Sequence, residues 1–171
     1  QAVFEATSRF YAGKTREAKE LLITNPDRDP FVLMQTAALL RNTSDLENAR
    51  KVIQFARESD PENAEINYQL AVLSIVGEPE QALELLRSIP ENDRHFEVAE
   101  FLLRLIQSLD PNDPDVNWFV SIGQALSNIG EWDVALHAFQ TATNLDPSFG
   151  FAWALTGEAE QRLGLDGEES L

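Results

Sequence analysis

The stretch GEWDVALHAFQTATNLDP, Gly130 to Pro147, decides how the chain is read. A Gly is followed by an aromatic, then by Ala135, Phe139 and Ala142 at spacings of four and three, and the run stops at Pro147. Positions i, i+4 and i+7 lie on one face of a helix, and a small Ala on that face lets another helix come close. Proline ends the run, because it has no amide hydrogen to donate and its ring clashes one turn back.

The same phrase occurs four more times. EAKELLITNP supplies Ala18, Leu22 and Pro26, and NARKVIQFARESDP supplies Ala49, Ile53, Ala56 and Pro61. QALELLRSIP supplies Ala82, Leu86, Ile89 and Pro90, and VAEFLLRLIQSLDP supplies Ala99, Leu103, Ile106 and Pro111. The distance from Ala to Pro is 8, 12, 8, 12 and 12 residues in chain order, so two copies lack the last helical turn. Most copies are preceded by another helical run that carries a small residue. Ala6, Ala37 and Gly123 stand twelve residues before Ala18, Ala49 and Ala135, and Ala71 precedes Ala82. Turns are expected at Gly13, Ser44, Gly77 and Gly130.

Two antiparallel helices in about 34 residues, with this order of small and large side chains, resemble the tetratricopeptide repeat. In the family's pattern, W-x2-L-G-x2-Y then A-x3-F-x2-A and Pro, Phe119 takes the Trp place and Leu126 the Tyr place. Ala135, Phe139, Ala142 and Pro147 fill the rest. The resemblance implies an all-α fold, an antiparallel helix-pair solenoid wound as a right-handed superhelix of about ten helices. Units are expected at about 1–29, 30–63, 64–90 and 116–149, with an extra helix at 91–112 and a terminal helix at 150–165 that closes the stack. Ala49 to Ala82 is 33 residues but Ala82 to Ala99 only 17, so the alternation fails around 90–115. A subdivision into 1–90 and 91–171 is expected there. A second resemblance, resting on EQALELLRSIPEND and the helix after it, is to the repeat region of bacterial chaperedoxins.

Composition narrows the function. The 171 residues are 43% hydrophobic and 25% charged, which suits a soluble globular array. The net charge of −16 opposes nucleic acid and anionic membrane as partners. Residues 1–57 carry nine Lys/Arg against seven Asp/Glu, a net +2, and residues 58–171 carry four against twenty-two, a net −18. A basic partner, or the less acidic end of another copy, would complement the acidic half. There is no cysteine, so disulfides, thiolate metal sites and thiol catalysis are excluded. No membrane-length apolar run and no targeting leader is visible, and a cytoplasmic location is favoured; starting at Gln1, the chain is expected to be a segment of a longer polypeptide.

No chemistry-bearing constellation emerges. His95 and His137 have no partner at ligand spacing, and the Asp110–Asp115 run DPNDPD lacks the Gly and the distal Glu of a calcium loop. Trp118, Trp132 and Trp153 stand where aromatics pack between helices. The expectation is a non-enzymatic protein-interaction scaffold, without cofactor or metal. The resemblance implies that first helices line a concave groove for a peptide. It assigns to that groove Thr7 and Phe10; Phe31, Met34, Ala38 and Arg41; Tyr68 and Val72; and Gln124 and Asn128. The first three units would offer an apolar, Met-containing surface and the fourth a polar, amide-rich one. The carboxylate clamp that one subgroup uses against Hsp70 and Hsp90 tails is not assembled, because Tyr68 and Val72 stand where cations are needed. Alternatives are end-to-end self-assembly and a holdase segment of the chaperedoxin type.

Overall fold

The computed structural model describes residues 29–110 and 114–165, together with Glu5, Arg9, Lys14, Glu17 and Glu20. Among the described residues there are eight helices and no strand: α1 (Pro30–Arg41), α2 (Leu46–Ser59), α3 (Ala64–Ser74), α4 (Pro79–Arg87), α5 (Phe96–Ser108), α6 (Val116–Asn128), α7 (Trp132–Leu145) and α8 (Gly150–Leu163). The count of about ten included the first unit, which lies almost wholly outside the described residues. The chain forms two compact units, 1–73 and 74–171. The division falls inside the third expected repeat, not at residue 90.

Helix starts follow from single residues. Asp29 caps α1 by accepting from the Phe31 and Val32 amides at 2.9 and 3.4 Å, with Pro30 in the first helical position where a missing amide hydrogen costs nothing. Asp115 caps α6 by accepting from the Trp118 amide at 2.8 Å, and Asp45 caps α2 through the Asn48 amide at 3.3 Å. Pro79 opens α4 in the same way as Pro30 opens α1.

Helix ends repeat one turn. After α6, the Gly130 amide donates to Ser127 O at 3.1 Å and the Glu131 amide to Leu126 O at 2.9 Å, with Gly130 at φ 90°. After α1, Ser44 sits at φ 57°, its amide donates to Arg41 O at 2.8 Å, and the Asp45 amide donates to Leu40 O at 2.9 Å. Each turn reverses the chain so that α2 returns along α1 and α7 along α6.

In unit 74–171 the core is built on α6 and α7. Ala135, Phe139 and Ala142 of α7 are buried, as are Ile122, Gly123 and Leu126 of α6. A Cβ on Gly123 would lie 2.3 Å from the Phe139 ring, so the ring rests on bare backbone. In unit 1–73, Leu33, Ala37 and Leu40 of α1 face Ala49, Ile53 and Ala56 of α2, all buried. Between α4 and α5, residues 88–95 form turns and no helix, so two second-type helices follow one another directly and the alternation fails where expected. On α5 the buried face is Ala99, Leu102 and Ile106; Leu103, read from the sequence as its central apolar residue, is only half-buried.

Of the three tryptophans expected in the core, Trp118 is buried and stacks edge-on against Phe119 at 5.0 Å. Trp132 is half-buried under the Arg162 guanidinium, 5.2 Å from its ring centroid. Trp153 departs from the expectation: it is 53% exposed, since no described helix covers its side of α8.

Two glycines one repeat apart should respond oppositely to the same change. Gly123→Ala gains about 1 kcal/mol of helix propensity but forces overpacking against Phe139 that costs about 1–3 kcal/mol, so the unfolding midpoint in urea should fall. Gly157→Ala, with nothing within 4 Å of its Cβ, should raise the midpoint, through a gain in stability of up to about 1 kcal/mol. The Trp118 indole N–H is buried without a hydrogen-bond partner. Trp118→Phe should therefore change stability by less than about 1 kcal/mol, where Trp118→Ala costs about 3–5 kcal/mol in the same titration.

Candidate functional site

The residues expected to line a groove divide between the two units. In unit 1–73, α1 carries Phe31, Met34, Ala38 and Arg41 at spacings of three, four and three, one above another on a single face. Phe31 is 71% exposed, Ala38 is exposed and Met34 is half-buried. Arg41 at the end of this stripe donates from Nη1 to Gln69 Oε1 at 2.8 Å, and Gln69 Nε2 donates to Glu65 Oε1 at 3.2 Å. This chain of hydrogen bonds ties the end of α1 to the neighbouring first helix, α3, and gives the apolar stripe a polar rim.

Tyr68 and Val72 are not on an open face. Tyr68 is 6% exposed and Val72 has no exposed surface, so both belong to the core. Nearly every residue from Ile66 to Val76 is buried, and a helix buried all round has no free face to assign. Thr7 and Phe10 lie outside the described residues. In unit 74–171, Gln124 and Asn128 are exposed one turn apart on α6, with Asn117 on the same side.

The exposed side of α1 could have been found from its sequence alone. PFVLMQTAALLR places Leu33, Thr36, Ala37 and Leu40 on the buried face, which leaves Phe31, Met34 and Ala38 opposite them. Sequence reasoning missed the Arg41–Gln69 bond, because its partners are 28 residues apart on different helices.

Titratable groups serve turns and helix surfaces. The Asp93 carboxylate accepts the His95 amide at 2.8 Å and lies 2.9 Å from His95 Nδ1, which closes the turn into α5 and holds Asp93 below the usual aspartate range. Asp146 is lowered likewise by the hydroxyl and amide of Ser148. His137 lies on the exposed side of α7, and partial loss of water around its ring lowers its pKa. Among the described residues no three His, Cys, Asp or Glu side chains gather to hold a metal ion, and no helix is long and apolar enough to cross a membrane.

No protein-family model matches the chain, and no curated protein matches it. Among solved structures it is similar to a crystal structure of MamA, at 18% identity over 94% of this chain and 85% of that one, with a TM-score of 0.41. A MamA fragment from Desulfovibrio magneticus RS-1 shows 18% identity over 94% and 82%, with a TM-score of 0.42. YrrB, described as a TPR protein with an unusual peptide-binding site, shows 23% identity over 88% and 86%, with a TM-score of 0.40. At such scores the likeness has no bearing on site or partner. The chain's own 34-residue period, its paired helices and its recurring left-handed turn give an all-helical fold of antiparallel helix pairs that resembles the tetratricopeptide repeat.

Proposed function

We propose that the chain is a non-enzymatic interaction scaffold that holds a peptide or protein segment against its first helices, with the α1 stripe as the anchor site in unit 1–73. The observation that carries this is Phe31. A phenylalanine 71% exposed, in helical register with Met34 and Ala38 and rimmed by the Arg41–Gln69–Glu65 hydrogen bonds, gives an apolar spot with a defined polar edge. Such a spot suits an apolar side chain of a bound segment, while Arg41 and Gln69 supply polar groups for its backbone. The methionine adds a side chain that can repack around different anchors. In unit 74–171, taken by itself, Gln124 and Asn128 suit hydrogen bonding to a peptide backbone rather than apolar anchorage.

Peptide display against the purified chain, followed by calorimetry on the selected ligands, tests this reading. Phe31→Ala should weaken binding at least about ten-fold, or about 1.4 kcal/mol, while the melting temperature stays within a degree or two, because the ring is mostly in water. Tyr68→Ala should instead lower the melting temperature. Ligands that bind the Phe31→Ala and Met34→Ala proteins as tightly as the parent would remove the α1 stripe from consideration. Light scattering at low and high salt separates this reading from end-to-end self-assembly, in which a salt-sensitive oligomer is expected.

A further inference from the structure

In every described second-type helix, the residue two places after the small Ala of the repeated phrase is exposed. It is Lys51 in α2, Glu84 in α4 and His137 in α7, but in α5 it is Phe101, 46% exposed. Internal packing does not account for an aromatic at this outward place, since Ala99, Leu102 and Ile106 already supply the buried face of α5. Val98 and Leu105, three residues before and four after Phe101, are half-buried and extend the apolar strip along the helix. α5 is also the helix at which the alternation of first and second helices fails, so it is no regular member of the array.

Charges follow the same spacing about the same centre. Glu97 and Arg104, both exposed, lie two turns apart with Phe101 between them, and Val98 and Leu105 do likewise. By helical periodicity, residues 97 and 104 fall on one flank of residue 101, and residues 98 and 105 on the other. Turned end over end about Phe101, this face is its own complement: Glu97 meets Arg104, Val98 meets Leu105, and Phe101 meets Phe101. A parallel mate would instead set Glu97 against Glu97 and Arg104 against Arg104. Arg104 pairs with Glu100 of its own helix at 2.6 Å, an exposed contact of little strength that the guanidinium can share with a second carboxylate.

We propose that the outer face of α5 is a homodimer interface, on which α5 of a second copy of this chain lies antiparallel with Phe101 at the two-fold axis. Self-complementarity selects this occupant. A two-fold interface uses one patch twice, so its charges and apolar groups must pair with their own counterparts after rotation, and those of α5 do. Opposite charges fix the antiparallel direction and the register, while Phe101, Val98 and Leu105 supply the apolar contact. A contact of one helix face is small, so the dimer is weak. The net −18 of residues 58–171 opposes the approach of two copies at low salt. This surface is on a different helix from the α1 stripe and stands whether or not that stripe binds peptide.

Sedimentation equilibrium of the full 171-residue chain tests this. At about 0.15 M salt, which screens the repulsion between copies, and at concentrations up to about 1 mM, a monomer–dimer equilibrium that stops at two copies is expected. Phe101→Glu should leave only monomer, with a melting temperature close to the parent's, because the other second helices carry polar residues at this place. Glu97→Arg and Arg104→Glu should each weaken self-association at least about ten-fold, since each brings like charges together across the axis. Mixed in equal amounts, these two variants should pair with one another at least as tightly as the parent pairs with itself, one bringing two cations and the other two carboxylates. A variant that had merely failed to fold could not show that gain. A parent that stays monomeric throughout, a dimer indifferent to Phe101→Glu, or a mixture that associates no better than its components overturns the proposal. So does association that runs past two copies, which is open stacking and not a closed pair.

Discussion

The described fold of residues 114–165 rests on one contact, the Phe139 ring lying on the bare Cα of Gly123. A ring can come this close only where the facing helix lacks a side chain, and an aromatic buried to this extent brings several kilocalories of apolar burial to a single site, about 3–5 kcal/mol on removal. Ala135 and Ala142 flank the ring one turn to either side and keep α7 at that short distance along its length. The left-handed turn at Gly130 then has a single geometric task, to bring α7 back along α6 in register with this contact. In α1 and α2 the same task falls to Ser44, which adopts the left-handed conformation without glycine's freedom, and the contact is softer: Ala37 and Ile53 take the places of Gly123 and Phe139.

A repeat built this way has two kinds of surface. Helix faces turned toward a partner helix are small, apolar and closed; faces turned away are free to vary. The α1 stripe is of the second kind, and its Phe31 is notable because an outward position tolerates any polar residue and yet holds a large apolar one. The α8 face carries the repeat positions of the first kind, with no second helix against it among the described residues. Trp153 and Gly157 are residues that belong under another helix, and only Glu160 is suited to water. Exposed apolar surface therefore arises at the two places by different routes.

Charged groups play a supporting part. The i,i+4 pairs Glu47–Lys51 and Glu100–Arg104, both at 2.6 Å, are exposed and contribute little to stability. The Asp93–His95 and Asp146–Ser148 contacts close turns. The large acidic excess of residues 58–171 thus acts mainly as a field at the surface, bearing on what approaches the protein more than on how it folds.

The sequence by itself determined the helix pairs, their caps and stops, and the place where alternation fails, because each depends on residues within a few turns of one another. The Ala-x3-large-x2-small phrase and the prolines report local geometry, and local geometry survived folding unchanged. The tertiary structure decided which faces are covered. Phe119 and Trp153 occupy the same repeat position, yet one is 7% exposed and the other 53%, since only α6 has a described second helix lying against that face. Tyr68 and Val72 sit at positions that look outward in the repeat pattern and are buried all the same, while Arg41 finds Gln69 across 28 residues. A repeat position states which way a side chain points; whether anything lies there is a property of the assembled helices.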